Sequence, residues 1–210
     1  MKNYLKICII LISFFGCAKT NIDYDIVRNN SKIQTKTLAT LSPKNISLNK
    51  EYEAQLGDGD NEIIDLNGNR VFASKFILPQ VDTPFSLNIS SSSSVGFFAP
   101  RVFFLDDKSK IIRTVEAKNL QFDRGFYKGT IFINTEYSKI NSIVVTQDTE
   151  ESNAKHNIKY VEGGTVYIPI GAAMVPITFS SGDLNKTLKY SYGGMVKITL
   201  KAYEPVALSE

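Results

Sequence analysis

The chain has 210 residues, with 24 Lys and Arg against 21 Asp and Glu and a hydrophobic share of 43%. That length suits one domain with an address segment, and the hydrophobic share is too low for a helical integral membrane protein. A formal charge of +3 without any Lys/Arg block argues against nucleic acid as a partner.

The N-terminus reads as a lipoprotein signal over residues 1–16. Lys2 and Lys6 flank the start of an apolar run, Ile7 to Phe15, broken only by Ser13. The run is shorter than the roughly 20 residues a spanning helix needs, and it fits a secretory h-region. Gly16-Cys17 resembles the end of a lipobox, where signal peptidase II cuts before a diacylated cysteine. Phe14 and Phe15 depart from the usual Leu and small residue. The competing reading is ordinary signal cleavage, which leaves Cys17 a free thiol. Ala18 follows Cys17, and the lack of Asp there resembles an outer-membrane destination. The expected location is therefore the periplasm, on the outer membrane, held by the lipid on Cys17. Cys8 leaves with the signal and Cys17 is acylated, so the mature chain has no disulfide and must rely on its core. Without Lys2 and Lys6, 22 basic residues face 21 acids, a formal charge of +1.

Residues 17–44 are polar, with Asn29-Asn30-Ser31-Lys32 and a Pro43 that opposes a long helix. They are expected to form the lipid anchor and a flexible tether. From residue 45 to 210 the punctuation is that of an all-β domain. A Gly57 to Asn61 turn precedes Ile63 to Leu66, and Asn67-Gly68 supplies a hairpin turn before Val71 to Leu78. Further strands are expected at Phe85 to Ser91, Val95 to Leu105, Ile111 to Val115, Tyr127 to Asn134 and Ile140 to Thr146. Thr165 to Ile170, Val175 to Phe179 and Val196 to Ala202 complete the set, with Glu150 to Lys159 a loop or short helix. In 127–134 Tyr127, Gly129, Ile131 and Ile133 share one side, and Lys128, Thr130, Phe132 and Asn134 the other. The expected fold is a two-sheet antiparallel β-sandwich.

Few residues carry obvious chemistry. His156 sits in a polar stretch and reads as a solvated surface side chain. One imidazole and no free thiol do not build a conventional zinc site. The serine run Ser90 to Ser94 lacks the frame of a nucleophile elbow, and Gly163-Gly164 and Gly193-Gly194 lack the context of a phosphate loop. Asp58, Asp60 and Glu62 alternate like calcium ligands, but Asn69 stands where an EF-hand needs Glu, so a plain acidic turn is expected. No catalytic residue, metal or cofactor is assigned. A glycosidase pair would need two carboxylates facing each other, and none is singled out. Tyr190-Ser191-Tyr192 places two rings on one side of an extended segment, which makes Tyr190 and Tyr192 candidate sugar-stacking residues. The alternative is that they pack on the end of the sandwich.

The segment Val95-Gly96-Phe97-Phe98-Ala99-Pro100-Arg101-Val102-Phe103-Phe104-Leu105-Asp106 resembles the maltose operon periplasmic protein family. There a Phe-Ala-Pro-x-Val-x-x-Leu-Asp element follows an alternating strand like Phe85 to Ser90. Ser142-Ile143-Val144-Val145-Thr146-Gln147 and Gly193-Gly194-Met195-Val196-Lys197-Ile198-Thr199-Leu200 are similar to its next central and closing strands. The likeness covers roughly Ala73 to Tyr203. It implies a non-catalytic accessory of maltose or maltodextrin uptake at the outer membrane, a binding or scaffolding module with maltodextrin or a maltoporin-like porin as partners. A carbohydrate-active hydrolase is the alternative.

The lipoprotein reading has a direct test. Cys17→Ala is expected to abolish palmitate labelling and attachment to outer membranes while the domain still folds, because the anchor lies ahead of the core. An alanine chain that still pellets with outer membranes after a high-salt wash would refute lipidation at Cys17.

Overall fold

The computed structural model describes residues 23–30, 32–57, 62–170 and 173–203, with side chains outside 159–186. The signal, Cys17 and the turn at 58–61 lie outside these residues. Among the described residues no helix is long and apolar enough to cross a membrane.

The architecture is all-β. A short helix α1 (Tyr24–Arg28) is followed by β1 (Thr35–Lys36), β2 (Pro43–Asn45), β3 (Glu51–Leu56), β4 (Glu62–Leu66), β5 (Asn69–Ile77) and β6 (Phe85–Ser92). Then come β7 (Pro100–Leu105), β8 (Ile111–Val115), β9 (Gln121–Asp123), β10 (Phe126–Ile133), β11 (Ser142–Gln147), β12 (Lys155–Ile170), β13 (Ala173–Lys189) and β14 (Gly194–Ala202). One sheet runs β1-β4-β5-β11-β7-β8, with β2 also on β5; the second runs β3-β14-β6-β10-β9. Pairing is antiparallel except for β1 on β4 and β2 on β5. Strands β12 and β13 pair with each other and join neither sheet.

The five-stranded sheet obeys the period of two. In β10 Tyr127, Ile131 and Ile133 are buried while Lys128, Thr130 and Phe132 are exposed, and β14 alternates likewise. Its inner face, with Phe85, Leu87, Ile89, Ile131, Val196 and Ile198, meets Phe72, Phe76, Phe104, Ile143 and Val145 of the larger sheet. Each of these large side chains contributes on the order of 2 kcal/mol by leaving water.

The larger sheet is different. Its central strand β11 is buried at every position, and β5 from Val71 to Phe76. Continuous apolar strands are the mark of a sheet covered on both faces. On the second face Ile64, Val71, Ala73, Phe103, Leu105 and Val144 form a separate cluster, closed by Leu38 and Leu41.

That cover corrects the expected tether. From Asp23 onward the stretch assigned to residues 17–44 is packed on the domain, with Tyr24 and Leu41 buried. Cations on β5 hold its carbonyl oxygens. Arg70 donates to Arg28 O at 2.8 Å, Asn30 O at 3.1 Å and Ile33 O at 2.7 Å, and the buried Lys75 ammonium donates to Leu38 O at 3.0 Å. Glu62 accepts from Ser42 N and Oγ, each at 2.7 Å, and from the Lys36 ammonium. Burial opposes ionisation of Glu62, but Lys36 and Ser42 outweigh it and hold the carboxyl below its usual range. Tyr24 lies against Gly57 and Gly193, where a Cβ would collide with its ring. Gly57 also has φ +95°, so glycine is required there twice over.

Other expectations need adjustment. Residues 95–99 bend across the sheet end instead of extending β7, and Pro100 takes the first place in that strand, where its missing N–H is tolerated. Glu150 to Lys159 splits into a 3-10 turn (Thr149–Asn153) and the start of β12, and the β12–β13 hairpin is far longer than the two apolar runs.

Ile131, Phe103 and Leu41 sample the inner core, the second core and its cover, at 5%, 5% and 2% exposure. Replacing any of them by Asp buries an unpaired charge, an expected loss of about 3 kcal/mol or more. Thermal melts should fall by roughly 6 °C or more. A Leu41→Asp protein that melts like the parent would show that residues 23–42 are dispensable as a cover.

Candidate functional site

Helix α1 and the link from β13 to β14 meet at one end of the sandwich. Asp23 caps the helix, accepting from Asp25 N at 3.0 Å and Ile26 N at 3.3 Å. The link Tyr190-Ser191-Tyr192 is tied to the 95–99 bend: Phe97 N donates to Lys189 O at 2.9 Å, and Ser191 N to Phe97 O at 2.8 Å. These bonds fix the alternation of the link. Ser191 is buried and donates to Gly193 O at 2.6 Å, while Tyr190 and Tyr192 share the other side.

The two rings meet edge to face, with centroids 5.2 Å apart and planes at 81°. With Asp23, Tyr24, Asp25 and Val95 they line a groove of about 440 Å³. The candidate sugar residues are thus brought together, though with distinct roles. Tyr190 is a packing residue as much as a wall: its hydroxyl donates to Asp148 O at 3.0 Å and its ring abuts Phe97. Burial, with Asp148 beside it, pushes its phenol pKa well up, so it remains a donor. Tyr192 carries the Arg28 guanidinium over its ring, 3.9 Å from the centroid. Arg28 is also held by Asp25 at 2.7 Å and by Arg70 O at 3.2 Å. The groove therefore offers an aromatic wall and two carboxylates, while Arg28 lies on the Tyr192 ring and is not among the lining residues. Asp23, Asp25 and Arg28 lie some 165 positions from the tyrosines, and no motif in the sequence links them.

A larger depression of about 610 Å³ lies at the other end of β7 and β11, among loops 78–82, 106–107 and 137–141. It has one aromatic ring, Tyr137, and three carboxylates, Asp82, Asp106 and Asp107. Asp106 is committed to its turn, accepting from Lys108 N at 2.9 Å and Lys110 N at 2.7 Å. With fewer flat apolar surfaces it is the weaker sugar site.

Behind the tyrosines lies a buried charge node. Asp148, 1% exposed, accepts from Arg101 Nη2 at 2.7 Å, Ala117 N at 3.0 Å and Glu150 N at 3.2 Å. Arg101 also meets Glu150 at 2.9 Å and Glu116 at 3.8 Å. Beside it, His156 overturns the expectation of a solvated histidine. Its ring stacks on Phe122 at 3.8 Å, packs edge-on to Phe97 at 4.6 Å, and its Nε2 lies 3.2 Å from the Tyr127 hydroxyl. The strand register of β12 lays it against rings contributed from elsewhere in the chain. Burial, then Glu151, pushes the Tyr127 phenol up to about 12, so it keeps its proton. Neither depression reaches this histidine. Among the described residues no group of three or more His, Cys, Asp or Glu could hold a metal ion. The acidic turn at Asp58 and Asp60 lies outside them.

No protein-family model matches this chain, and no curated relative does. Among solved structures, the pre-peptidase C-terminal domain of a collagenase from Bacillus anthracis is 10% identical, with 77% of this chain and 96% of that chain covered at a TM-score of 0.34. The structure of the Gx strain of infectious bursal disease virus is 17% identical, with 76% and 36% covered at a TM-score of 0.26. Neither similarity is close enough to bear on function.

The node and the ring cluster are expected to act as structure. Asp148→Ala leaves Arg101 without its buried partner and should cost about 3 to 5 kcal/mol. His156→Ala should cost about 1 kcal/mol or more by removing a stacked ring. Chemical denaturation measures both, and a His156→Ala protein of parental stability would contradict the packing.

Proposed function

We propose that this chain is a non-catalytic, lipid-anchored envelope protein that assists carbohydrate uptake, with the groove beside α1 as its saccharide contact. The observation that carries this is the joining of Tyr190 and Tyr192 to Asp23 and Asp25 around one opening, with Arg28 fixing the Tyr192 ring. A pyranose presents apolar C–H faces to a ring and hydroxyls to charged acceptors and donors, and a groove of this composition meets both needs. The resemblance of residues 95–106 to the maltose operon periplasmic protein family supports maltodextrin as the saccharide and a maltoporin-like porin as the protein partner.

The hydrolase alternative needs a carboxylic acid that holds a proton opposite a second carboxylate. The two carboxylates of the groove sit on one helix turn, not across from each other. Asp23 is occupied as a cap, and Asp25 is paired with Arg28. Both already accept from protein donors on the helix, which leaves neither facing a second carboxylate.

Calorimetric titration of the mature domain with maltoheptaose should show binding with Kd on the order of 1 mM, about −4 kcal/mol. Tyr192→Ala should weaken it about tenfold, and no reducing ends should accumulate on prolonged incubation. Steady turnover that disappears on replacing one particular Asp or Glu would establish the hydrolase instead. A parental affinity in Tyr192→Ala would move the contact away from this groove.

A further inference from the structure

The β12–β13 hairpin has a composition that water does not suit. From Gly163 to Gly182 there is no charged residue. The strand register places Val166 opposite Ile177, Ile168 opposite Val175 and Ile170 opposite Ala173 on one face. On the other face Tyr167 stands opposite Pro176, and Pro169 opposite Met174. Both faces of the outer half are thus nearly all apolar in sequence, and among the described residues no third strand pairs with either edge. A two-stranded ribbon is at best marginal alone in water. This one calls for apolar surroundings.

We propose that the outer half of this hairpin inserts into the acyl layer of the membrane. Three observations select lipid over a second copy of the chain. First, a proline fits an antiparallel ladder only where its nitrogen faces away from the partner strand, so Pro169 and Pro176 remove a donor from each free edge. That blunts edge-to-edge pairing with another hairpin. Second, the charge pattern is that of a membrane interface. Lys155 and Lys189 are paired and exposed at the root, Lys159 and Lys186 follow, and Glu162 and Asp183 stand last before the uncharged half, so four ammonium groups face two carboxylates at this level. Lysines at this level suit anionic headgroups. Third, the root lies where the chain arrives from its N-terminus. Lys189 leads directly into Tyr190 and Tyr192, which line the same groove as Asp23, and Cys17 lies six residues before Asp23. Six residues span at most about 20 Å. Val95 and Ile26, 48% and 70% exposed, are at this end too.

The dimensions suit one leaflet. Eight residues from Gly163 to Ile170 rise about 27 Å, and a tilt of about 40° fits them to the roughly 21 Å of one headgroup zone and acyl half-layer. A lone hairpin cannot span the whole bilayer, because its remaining edge N–H and C=O groups would be unpaired in hydrocarbon. Partial insertion gives a weak, reversible second attachment. It would orient a chain that a lipid anchor alone holds without fixing its orientation. The lipoprotein reading enters only as what brings the hairpin to the bilayer.

The test therefore uses the mature chain, residues 17–210, carrying Cys17→Ala and no lipid. The chain has no tryptophan, so Tyr167→Trp places a sole reporter in the apolar half. Added vesicles of phosphatidylethanolamine and phosphatidylglycerol should shift its emission to the blue, and brominated acyl chains should quench it. Ile168→Asp in the same background should weaken vesicle binding about tenfold or more with an unchanged melting temperature, since the hairpin belongs to neither sheet. A blue-shifted tryptophan without vesicles, together with oligomers on sedimentation, would assign the apolar half to a second copy and overturn the proposal. A monomer whose tryptophan stays solvent-exposed in the presence of vesicles would overturn it as well. Neither result depends on whether Cys17 is lipidated or whether the groove binds saccharide.

Discussion

The larger sheet is apolar on both faces, and most of the remaining structure answers that constraint. Val71, Ala73, Phe103, Leu105 and Val144 cannot be covered by the five-stranded sheet, which already occupies the opposite face. Residues 33–42 are laid over them instead, with no regular element longer than a two-residue strand. A cover of that kind has few backbone hydrogen bonds of its own, so its carbonyl oxygens need donors from elsewhere. Arg70 and Lys75 supply them from β5, and Glu62 receives the amide of Ser42. The buried lysine is tolerable because its ammonium meets Leu38 O and Ser109 Oγ, although burial lowers its pKa. These cation–carbonyl contacts do the fastening.

The same cover creates the groove. Arg70 holds the carbonyls of residues 28–33, which sets α1 against the sandwich end, and the Tyr24 ring locks into the space left by Gly57 and Gly193. Arg28 then falls over Tyr192. The groove is a consequence of how the second core is closed, so its geometry and the stability of the domain are coupled. On its far side the coupling runs through Asp148. That carboxylate holds Arg101 of β7 and the Ala117 amide, while its own carbonyl receives Tyr190. Tyr190 and Leu188 in turn share a cluster with Phe97, Tyr127 and Ile158, which seats the root of the hairpin.

Legibility in the sequence followed the range of the interactions. The alternation in β6 and β10 depends on each strand alone, and it was readable. The runs in β5, β7 and β11 were readable as strands, but the burial of their sheet on both faces was not. The apolar residues of the cover, Tyr24, Val27, Ile33, Leu38 and Leu41, keep neither period and are diluted by polar neighbours. Its fastenings to Arg70 and Lys75 join residues 37 to 42 positions apart. Strand β3 was missed because Glu51, Glu53 and Gln55 favour no strand; it exists as an edge beside β14, where Lys197 pairs with both glutamates. Tyr190 and Tyr192 could be placed on one side by the period of two, whereas Arg28 could not be placed over them. His156 was misjudged from its polar neighbours, since the rings that enclose it, Phe97, Phe122 and Tyr127, are remote in sequence.

The groove beside α1 and the apolar hairpin bear on each other through a shared wall. Tyr190 to Tyr192 is at once the exit from β13 and one side of the groove, and the bonds from Phe97 on either side of Tyr190 leave that link little freedom. A hairpin held at the bilayer would therefore fix the height of the groove to within the length of its own root. A lipid on Cys17, six residues before Asp23, would impose the same restriction from the other side of the opening. Two attachments converging on one groove would define an orientation, where a long tether on a single lipid would allow every orientation equally. On that proposal the groove would lie near the membrane surface. The polar outer face of the five-stranded sheet, with Lys128, Thr130, Lys197 and Thr199, then needs no membrane contact and is left to water.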